Sequence, residues 1–389
     1  MTFKCCKSSS WSVWLLVLLL VGCSSKGNLP PPTPLSEVDN ALPLSRAWIK
    51  VNIAEGERQQ AREGIHADEL LFMWLDNRGR LHADDAQTGK ALWRSELDSR
   101  ISSTPGVFND VVYVVTQNAE LIALQQQDGV ELWRSPVSSE ALVAPQVTEE
   151  GIVVVYCVDG SVYGLNALDG SERWRYDSKV PVISVRGNAT PTITKGRVIL
   201  GLSDGQLASL DLWSGKEKWR VTLARSRGRT ELERMVDVDA SPVVIGDVIY
   251  TAAYQGQLVA LHFRSGRTLW SFDVSTAQDI AVSDEYVFVV DERSIIYAVD
   301  RRNGRVEWKQ DALQWRYATA PALYQDYLVV GDFEGYLHWI DQRSGKLLHR
   351  VWTDYHHFDN KPVVAGNKLY AMSRTGIIDV LQLDEQTTP

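Results

Sequence analysis

Cysteine is scarce in this chain of 389 residues, which has only four, at positions 5, 6, 23 and 157. Three of them lie near the N-terminus, so Cys157 is alone in the rest of the chain and a disulfide framework is excluded. Cys157 lies in an apolar run, and we expect a small core residue rather than a reactive thiol. The fold must therefore be held by packing, for which an apolar content of 44% is ample.

An excess of basic residues is also absent. Lys and Arg number 40 against 49 Asp and Glu, a net charge of −9. Lys4 and Lys7 precede the first apolar run, so the remainder of the chain is more acidic still. Nucleic-acid binding depends on basic surfaces that neutralise phosphates. We expect no nucleic-acid partner.

Catalytic signatures are missing as well. The sequence has no G-x-S-x-G motif, and its Gly-Lys pairs at 89–90, 215–216 and 345–346 lack the earlier glycine of a phosphate-binding loop. His356 and His357 are adjacent, so on a strand they would point apart, and no Cys or His cluster joins them. The sequence predicts no enzyme, no metal and no cofactor.

The longest apolar run of the N-terminus covers residues 11–21, and eleven residues are too few to span a bilayer as a helix. The run ends in Leu-Val-Gly-Cys at 20–23, which is similar to the lipobox of bacterial lipoproteins. We predict a signal peptide over residues 1–22 and lipidation of Cys23, with an ordinary secretory signal as the alternative. Ser24, rather than Asp, predicts sorting to the outer membrane.

Residues 23–44 contain a proline-rich stretch, Leu-Pro-Pro-Pro-Thr-Pro at 29–34, and show no apolar period. Such a composition favours extended polyproline geometry. We predict a lipidated cysteine and tether over 23–44, a folded body over 45–384, and a short tail over 385–389.

The sequence does contain a repeated phrase. An acidic or polar residue is followed four positions later by Gly and eight positions later by Trp, about every 40 to 50 residues. The closing positions are Trp93, Trp133, Trp174, Trp219, Trp270 and Trp308, with His349 in a seventh copy. Trp48, near the N-terminus, matches the closing position without the preceding glycine. This period is typical of a propeller or a solenoid.

Each repeat holds four short segments rich in β-branched and aromatic residues, separated by glycine turns, as in residues 239–270. Four antiparallel strands make one propeller blade. We expect the repeat tryptophans to fill the blade interfaces, with the glycine four residues earlier bringing the ring of its own blade into place. His349 should weaken the packing of one blade only.

The ends of the chain determine the blade count. Three strands follow His349 without a fourth, whereas residues 47–51 form one strand with nothing before it. Pairing the two ends removes both open sheet edges. The prediction is an all-β, eight-bladed β-propeller of four-stranded antiparallel blades, closed by the N-terminal strand joining the C-terminal blade.

Two consecutive connections break the period. The distance from the closing residue to the proline of the next repeat is 12 or 13 residues after Trp93, Trp133, Trp308 and His349, but 17 after Trp174 and 23 after Trp219. Both connect an outermost strand to the next innermost strand, so they emerge side by side on one face. The first carries apolar residues capped by Arg186, and the second ends in two acids, Asp237 and Asp239. An apolar centre with a charged rim is typical of a protein-binding surface, and tolerated insertions without a role are the alternative.

The lipobox, the proline-rich segment and the eight repeats together resemble the BamB family, lipoproteins of the outer-membrane β-barrel assembly (BAM) complex. The repeats alone resemble propellers of quinoprotein dehydrogenases that bind pyrroloquinoline quinone (PQQ). Those enzymes set a vicinal disulfide against the quinone, whereas the adjacent cysteines here, at 5 and 6, lie in the predicted signal.

The BamB resemblance implies a non-catalytic scaffold at the periplasmic face of the outer membrane, attached only by its lipid. It implies binding to the POTRA domains of BamA, with assistance to the folding and insertion of β-barrel proteins. The family's docking segments match Ile183, Val185 and Arg186 in the first long connection and Asp237 and Asp239 in the second. Unfolded outer-membrane protein precursors are a further implied partner, by strand addition to open edges. The alternatives are a PQQ-dependent periplasmic oxidoreductase and a binding module for another envelope ligand.

Overall fold

Thirty-two β-strands form all the regular structure that the computed structural model describes. The described residues are 30–51, 65–76, 78–181, 189–225, 229–230, 234–353 and 357–384. The chain divides into two compact units, Met1–Pro32 and Thr33–Pro389. Of the first unit only the prolines at 30–32 are described, and they belong to no regular element. Across the described ranges, no helix has the length and apolar character needed to cross a membrane.

The strands of the first half are β1 Leu44–Lys50, β2 Ile65–Ala67, β3 Leu71–Leu75, β4 Leu81–Asp85, β5 Ala91–Arg94, β6 Gly106–Phe108, β7 Val111–Val115, β8 Glu120–Gln125, β9 Glu131–Pro136, β10 Gln146–Val147, β11 Ile152–Tyr156, β12 Ser161–Asn166, β13 Glu172–Asp177, β14 Thr192–Thr194, β15 Arg197–Leu202 and β16 Gln206–Asp211. Those of the second half are β17 Glu217–Thr222, β18 Val243–Ile245, β19 Val248–Ala252, β20 Gln257–His262, β21 Thr268–Asp273, β22 Ala281–Val282, β23 Tyr286–Val290, β24 Ile296–Asp300, β25 Val306–Gln310, β26 Ala322–Tyr324, β27 Tyr327–Gly331, β28 Tyr336–Asp341, β29 Leu347–Trp352, β30 Val363–Ala365, β31 Lys368–Met372 and β32 Ile378–Leu383.

These strands form eight four-stranded antiparallel sheets. Seven are built from consecutive strands, beginning with β2–β5 (blade one) and ending with β26–β29 (blade seven). Blade eight has the order β1-β32-β31-β30, with Leu44 opposite Leu383 and Lys50 opposite Ile378. The predicted eight-bladed propeller, closed by the N-terminal strand, is confirmed.

Burial changes from the inner to the outer strands of a blade. The middle strands are covered on both faces by neighbouring blades, so β11, Ile-Val-Val-Val-Tyr, is buried along its whole length. The outer strands alternate instead: in β21 the even positions from Trp270 onward are half-buried and the odd ones exposed. A continuous apolar run therefore marks a middle strand, and period-two alternation marks an outer strand.

The repeat tryptophans pack between blades, and they identify what the repeat glycine does. The ring of Trp174 lies on Gly215 of the following blade, and its Nε1 donates a hydrogen bond to the carbonyl of Leu212 at 2.7 Å. A Cβ on Gly215 would come within 2.6 Å of Trp174 Cε3. The same contact occurs at Trp48–Gly89, Trp93–Gly129, Trp133–Gly170, Trp219–Gly266, Trp270–Gly304 and Trp308–Gly345. The expectation that each glycine places the ring of its own blade is wrong: it makes room for the ring of the blade before.

This contact also explains His349. The blade that follows it is the composite blade eight, whose third and fourth strands are the two ends of the chain and are not joined by a glycine turn. In place of that turn, the N-terminal segment arrives at β29. Leu42 N donates to His349 Nδ1 at 3.2 Å, and Ala41 N donates to the carbonyl of Leu348 at 3.4 Å. The imidazole provides an acceptor for this segment that an indole lacks.

Residues 33–43, called here the strap, lie along blade seven. Thr33 N donates to Gln314 O at 3.0 Å, and the buried Arg316 donates to Thr33 O at 3.2 Å. Arg350 donates through Nη1 to Ser36 O at 2.9 Å. Leu35 and Leu42 add apolar contacts with the cores on the two sides of the blade. The sequence predicted a tether over the whole of 23–44, but the strap is docked on the propeller.

Candidate partner-binding face

The described ends of the two long connections lie side by side and are hydrogen-bonded to each other. The first joins β13 to β14 and the second joins β17 to β18, so both lead from an outermost strand to an innermost strand. At their ends, Thr190 N donates to Ser241 Oγ at 3.0 Å, and the hydroxyl of Thr192 donates to the carbonyl of Pro242. The two insertions that the period revealed therefore belong to one surface, called here the loop face.

The predicted site residues divide into two groups in the structure. Ile183, Val185 and Arg186 lie outside the described residues. Asp237 and Asp239 are described, and the structure places them at the base of the second connection, where Asp237 and Tyr254 form an isolated antiparallel bridge.

Residues 236–240 alternate between two buried sides. Val236 and Val238 pack into the core between blades four and five, with Leu207 and Ile249. The backbone passes so close to β15 that a Cβ on Gly201 would lie 2.1 Å from the carbonyl oxygen of Val238. Apolar side chains thus fix the segment, and the alternation directs Asp237 and Asp239 to its opposite side.

Both acids are buried, with 2% of Asp237 and 7% of Asp239 exposed. The sequence placed them on the charged rim of a binding surface, and their burial does not fit that expectation. The segment is covered on both sides because the neighbouring blade lies against it, which a local sequence pattern cannot reveal. Asp239 is also one of the residues that line a cavity, described below.

The environment of Asp239 disfavours its charged form. Burial raises the pKa of Asp239 to about 9, and the carboxylates of Asp237 and Asp279 contribute to the increase. Neither of its carboxylate oxygens has a hydrogen-bond partner. The side chain therefore carries a proton at neutral pH.

That cavity lies where all eight blades meet, and its volume is about 430 Å³. Each blade contributes residues at or just before its innermost strand: Ile65, Thr104, Val143, Thr190, Ser241, Gln278, Ala320 and Lys361. Asp239, Asp279, Asp359 and Asn360 also line it. The cavity is the opening of the propeller's central channel on the loop face.

Sequence reasoning missed the polar residues of this opening, such as Gln278, Asp279 and Lys361. Ser241 N donates to Asp279 Oδ1 at 2.8 Å, and Lys361 Nζ lies 3.7 Å from Asp279 Oδ2. Aligning the repeats could have found them, because Ser241, Asp279 and Lys361 occupy equivalent positions before the innermost strands of blades five, six and eight. The lengths of the connections do not reveal these positions, whereas aligning the repeats identifies the residues that face the axis.

Within the described part of the chain, no group of three or more His, Cys, Asp and Glu side chains could hold a metal ion. His357, from the pair considered for metal binding, is instead 2.6 Å from Asp359. Cys157 is fully buried, and burial raises the pKa of its thiol to about 11, which makes it unreactive.

Comparison with known proteins assigns the chain to a family. Residues 77–310 match the family described as "Outer membrane protein assembly factor BamB". The protein of that name from Yersinia pestis is 32% identical over 377 residues, which cover 93% of this chain and 95% of the relative. This chain belongs to the BamB family. The Escherichia coli (strain K12) BamB is 31% identical over 378 residues, covering 94% of this chain and 96% of its own length.

Solved structures agree with the assignment. The crystal structure of BamB from Moraxella catarrhalis has a TM-score of 0.78 at 25% identity and covers 87% of this chain and all of its own. The quinohaemoprotein alcohol dehydrogenase ADHIIG from Pseudomonas putida HK5 has a TM-score of 0.69 at 11% identity, covering 90% of this chain and 78% of its own. At 11% identity the likeness to the dehydrogenase shows a shared propeller fold and nothing about chemistry.

Proposed function

We propose that this protein is a non-catalytic scaffold of the BAM complex at the outer membrane. It binds the POTRA region of BamA through the loop face and so assists the folding and insertion of β-barrel proteins. Membership of the BamB family supports the assembly role. The observation that carries the choice of surface is the hydrogen bond that joins the ends of two consecutive elongated connections, at Thr190–Ser241.

The binding surface has two parts in this proposal. Ile183 and Val185 supply apolar contact, and Arg186 pairs with an acid of the partner. Asp239 is reached from the channel opening, where it meets a basic side chain. An apolar contact bordered by a few directed charges is the usual anatomy of such an interface.

Co-purification of BamA tests this surface. Arg186→Glu reverses the charge of the first connection, and we expect at least a tenfold loss of bound BamA. Asp237→Asn probes the second connection and should weaken binding in the same direction. Asparagine is the suitable replacement because a lysine at this buried position would introduce an unpaired charge into the core.

The matched control is Arg264→Glu, which makes the same charge reversal in the exposed third-to-fourth-strand turn of blade five, on the opposite face. This variant should retain BamA at the level of the unchanged protein. Circular dichroism establishes that each variant is folded. Undiminished binding by folded Arg186→Glu and Asp237→Asn proteins would remove the loop face from the proposal.

The proposal includes a lipid anchor at Cys23 on the periplasmic face. Replacing Cys23 by Ser should abolish incorporation of labelled palmitate and release the protein from the outer-membrane fraction. Retention of the label would place the lipid elsewhere.

Unfolded precursors are proposed as a second class of partner. Each blade ends in an outer strand with one edge unpaired within its sheet. In β9 the exposed Leu132 follows Glu131 and lies two positions before Arg134, and these charges favour transient strand addition over permanent association. The proposed role requires no chemistry, so dye reduction with added PQQ, Ca²⁺ and an alcohol should give no signal above background.

A further inference from the structure

The strap lies against the outer edge of blade seven. Ala41 N donates to Leu348 O at 3.4 Å, and Asn40 Oδ1 accepts from Arg350 N at 2.8 Å, so the strap covers part of the outer edge of β29. An open strand edge pairs readily with another chain. The contacts that hold the strap therefore decide whether this edge is covered.

A buried group of side chains holds the middle of the strap. Arg350 donates through Nη1 to Ser36 O at 2.9 Å and through Nε to His338 Nδ1 at 3.3 Å. His338 is fully buried, and its Nε2 lies 3.0 Å from Asp332 Oδ2. The side chain of Arg350 thus connects the strap to a histidine in the interior of the blade.

These contacts determine the protonation state of His338. An arginine side chain only donates hydrogen bonds, so the Nδ1 atom that faces Arg350 is the unprotonated nitrogen of the ring. The hydrogen is then on Nε2, which donates to the carboxylate of Asp332. His338 is a neutral imidazole while the strap is docked.

The charges around His338 disfavour a second proton on its ring. Arg350 faces it from β29, and Arg316, from the β25–β26 connection, shares the Oδ2 atom of Asp332 with it. A proton on Nδ1 would add a third cation and point an N–H group at the N–H group of Arg350. The other titratable groups near this cluster are Glu334, which pairs with Arg316, Tyr336, whose ring centroid is 6.1 Å from that of His338, and the exposed strap acids Glu37 and Asp39.

Arg350 is the cation that a charged His338 would displace. Arg316 is held by two carboxylates, those of Asp332 and Glu334. The side chain of Arg350 donates instead to neutral acceptors, and its Nη2 is buried without a hydrogen-bond partner among the described residues. When Arg350 moves, Ser36 O loses its donor.

The direction of the pH effect follows from these contacts. Burial lowers the pKa of His338 below its ordinary value of 6.5; the hydrogen bond to Asp332 opposes this change, and the charges of Arg350 and Arg316 add to it. Departure of Arg350 removes one of these charges, so the released state binds the proton more tightly than the docked state. Docking of the strap therefore weakens as the pH falls below 6.5.

His349 is a second imidazole at the strap, and it accepts from Leu42 N at 3.2 Å. Burial lowers its pKa, and the backbone carbonyl of Asn40 acts in the opposite direction. A protonated His349 keeps that carbonyl as an acceptor within the strap. Its titration therefore does not detach the segment.

We propose that acid releases the strap from blade seven. Protonation of the buried His338 displaces Arg350 from Ser36, and the strap then leaves the outer edge of β29 unpaired. The proton comes from the solvent, and its removal at neutral pH restores docking. This switch does not depend on the proposed scaffold role.

Hydrogen–deuterium exchange of the full-length purified protein, followed by mass spectrometry, tests the proposal. Protection of peptides that cover the strap is compared at pH 7.5 and pH 5.0 after correction for the effect of pH on intrinsic exchange. The buried strand β11 is the internal reference. We expect protection of the strap to fall on the order of tenfold at pH 5.0 while that of β11 is retained.

Three variants identify the titrating group. His338→Gln keeps a donor and an acceptor but does not titrate, so the strap should be equally protected at both pH values. Arg350→Gln removes the displaced cation, and protection should be low to the same degree at both. His349→Asn keeps an acceptor for Leu42 N without titrating, and the pH effect should persist.

The matched control is His82→Gln in blade one. His82 Nε2 lies 3.0 Å from Asp76 Oδ2 and follows that acid by the same six positions as His338 follows Asp332. This variant should release the strap at pH 5.0 as the unchanged protein does. Loss of the pH effect in it would show that any buried Asp–His pair controls the strap, which contradicts the proposal.

Four further results would overturn the proposal. They are unchanged protection of the strap at pH 5.0, an equal loss of protection in β11, a persistent pH effect in folded His338→Gln protein, and loss of the effect in His349→Asn protein. If His338→Gln protein does not fold, the Arg350→Gln variant decides, because a full pH effect without the guanidinium would exclude its displacement as the cause.

Discussion

The free energy of unfolding depends on pH because of Asp239. Between its ordinary pKa of 3.8 and its raised pKa of about 9, the folded chain holds a proton that the unfolded chain has lost. The free energy of unfolding therefore falls as the pH rises through this window, by at most about 1.4 kcal/mol per pH unit. Below pH 4 both states are protonated and the cost disappears.

Asp239→Asn should accordingly stabilise the protein. We expect little difference from the unchanged protein at pH 4.5 and a gain on the order of 2–4 kcal/mol at pH 8, since asparagine does not titrate. Denaturant unfolding at the two pH values measures it. The exposed Asp110→Asn should show no such trend. A variant that is less stable than the unchanged protein at pH 8 would contradict the account of a buried, protonated Asp239.

The blade interface is governed by one ring and one glycine. Gly215 has a φ of +66°, a conformation that L side chains adopt only with strain, and the ring of Trp174 covers it. Gly151 has a φ of +72° in another turn, but nothing lies within 4 Å of its Cβ position. This pair separates the cost of backbone strain from the cost of a lost blade contact.

Gly215→Ala should destabilise the protein more than Gly151→Ala. Both pay about 1–2 kcal/mol for the left-handed backbone, and Gly215→Ala adds about 1–3 kcal/mol for displacing the indole. The midpoint of thermal or denaturant unfolding gives the comparison. Equal losses in the two variants would show that the Trp–Gly contact contributes little to the interface.

Much of this element-level structure could be predicted from the sequence. The period predicts the number of strands and blades. The composite blade is predicted by the single strand at Trp48 together with the three strands after His349 that lack a fourth. The partner of each glycine could not be predicted, because rings one repeat apart fit the same spacing. The docking of the strap could not be predicted either. It depends on hydrogen bonds that Arg316 and Arg350, which are remote in sequence, donate to carbonyl groups of the strap. Burial of Asp237 and Asp239 depends on how neighbouring blades close over the segment.

At the scale of the whole molecule, ring closure depends on one strand pair. Arg46 of β1 forms two hydrogen bonds with Asp379 of β32, both at 2.8 Å, and Trp48 wedges blade eight against blade one. No covalent connection joins β1 to β32 within this blade, whereas neighbouring strands of the other blades are joined by short turns. We expect the closure to limit the stability of the ring.

A disulfide across the closure tests this expectation. Ser45 and Gln382 are cross-strand partners, and cysteines there would close a loop of about 340 residues. The control pair, Gln206 and Thr222, also lies across two neighbouring strands but closes only about 16 residues. The closing disulfide should stabilise by about 2–3 kcal/mol more than the control, measured as the difference between oxidised and reduced unfolding midpoints. Equal gains would show that the closure is not the weak point.

The composite blade makes completion of the chain a condition of folding. Strand β1 is synthesised first and β32 last, so β1 has no partner until nearly the whole polypeptide has emerged. Trp48 on β1 and the strap can pack only after the C-terminal repeats have been synthesised. A prematurely terminated chain thus leaves blade eight without its other three strands and blade one without a neighbour. Only a complete chain can close the ring, so an incomplete chain cannot present the folded propeller to a larger assembly.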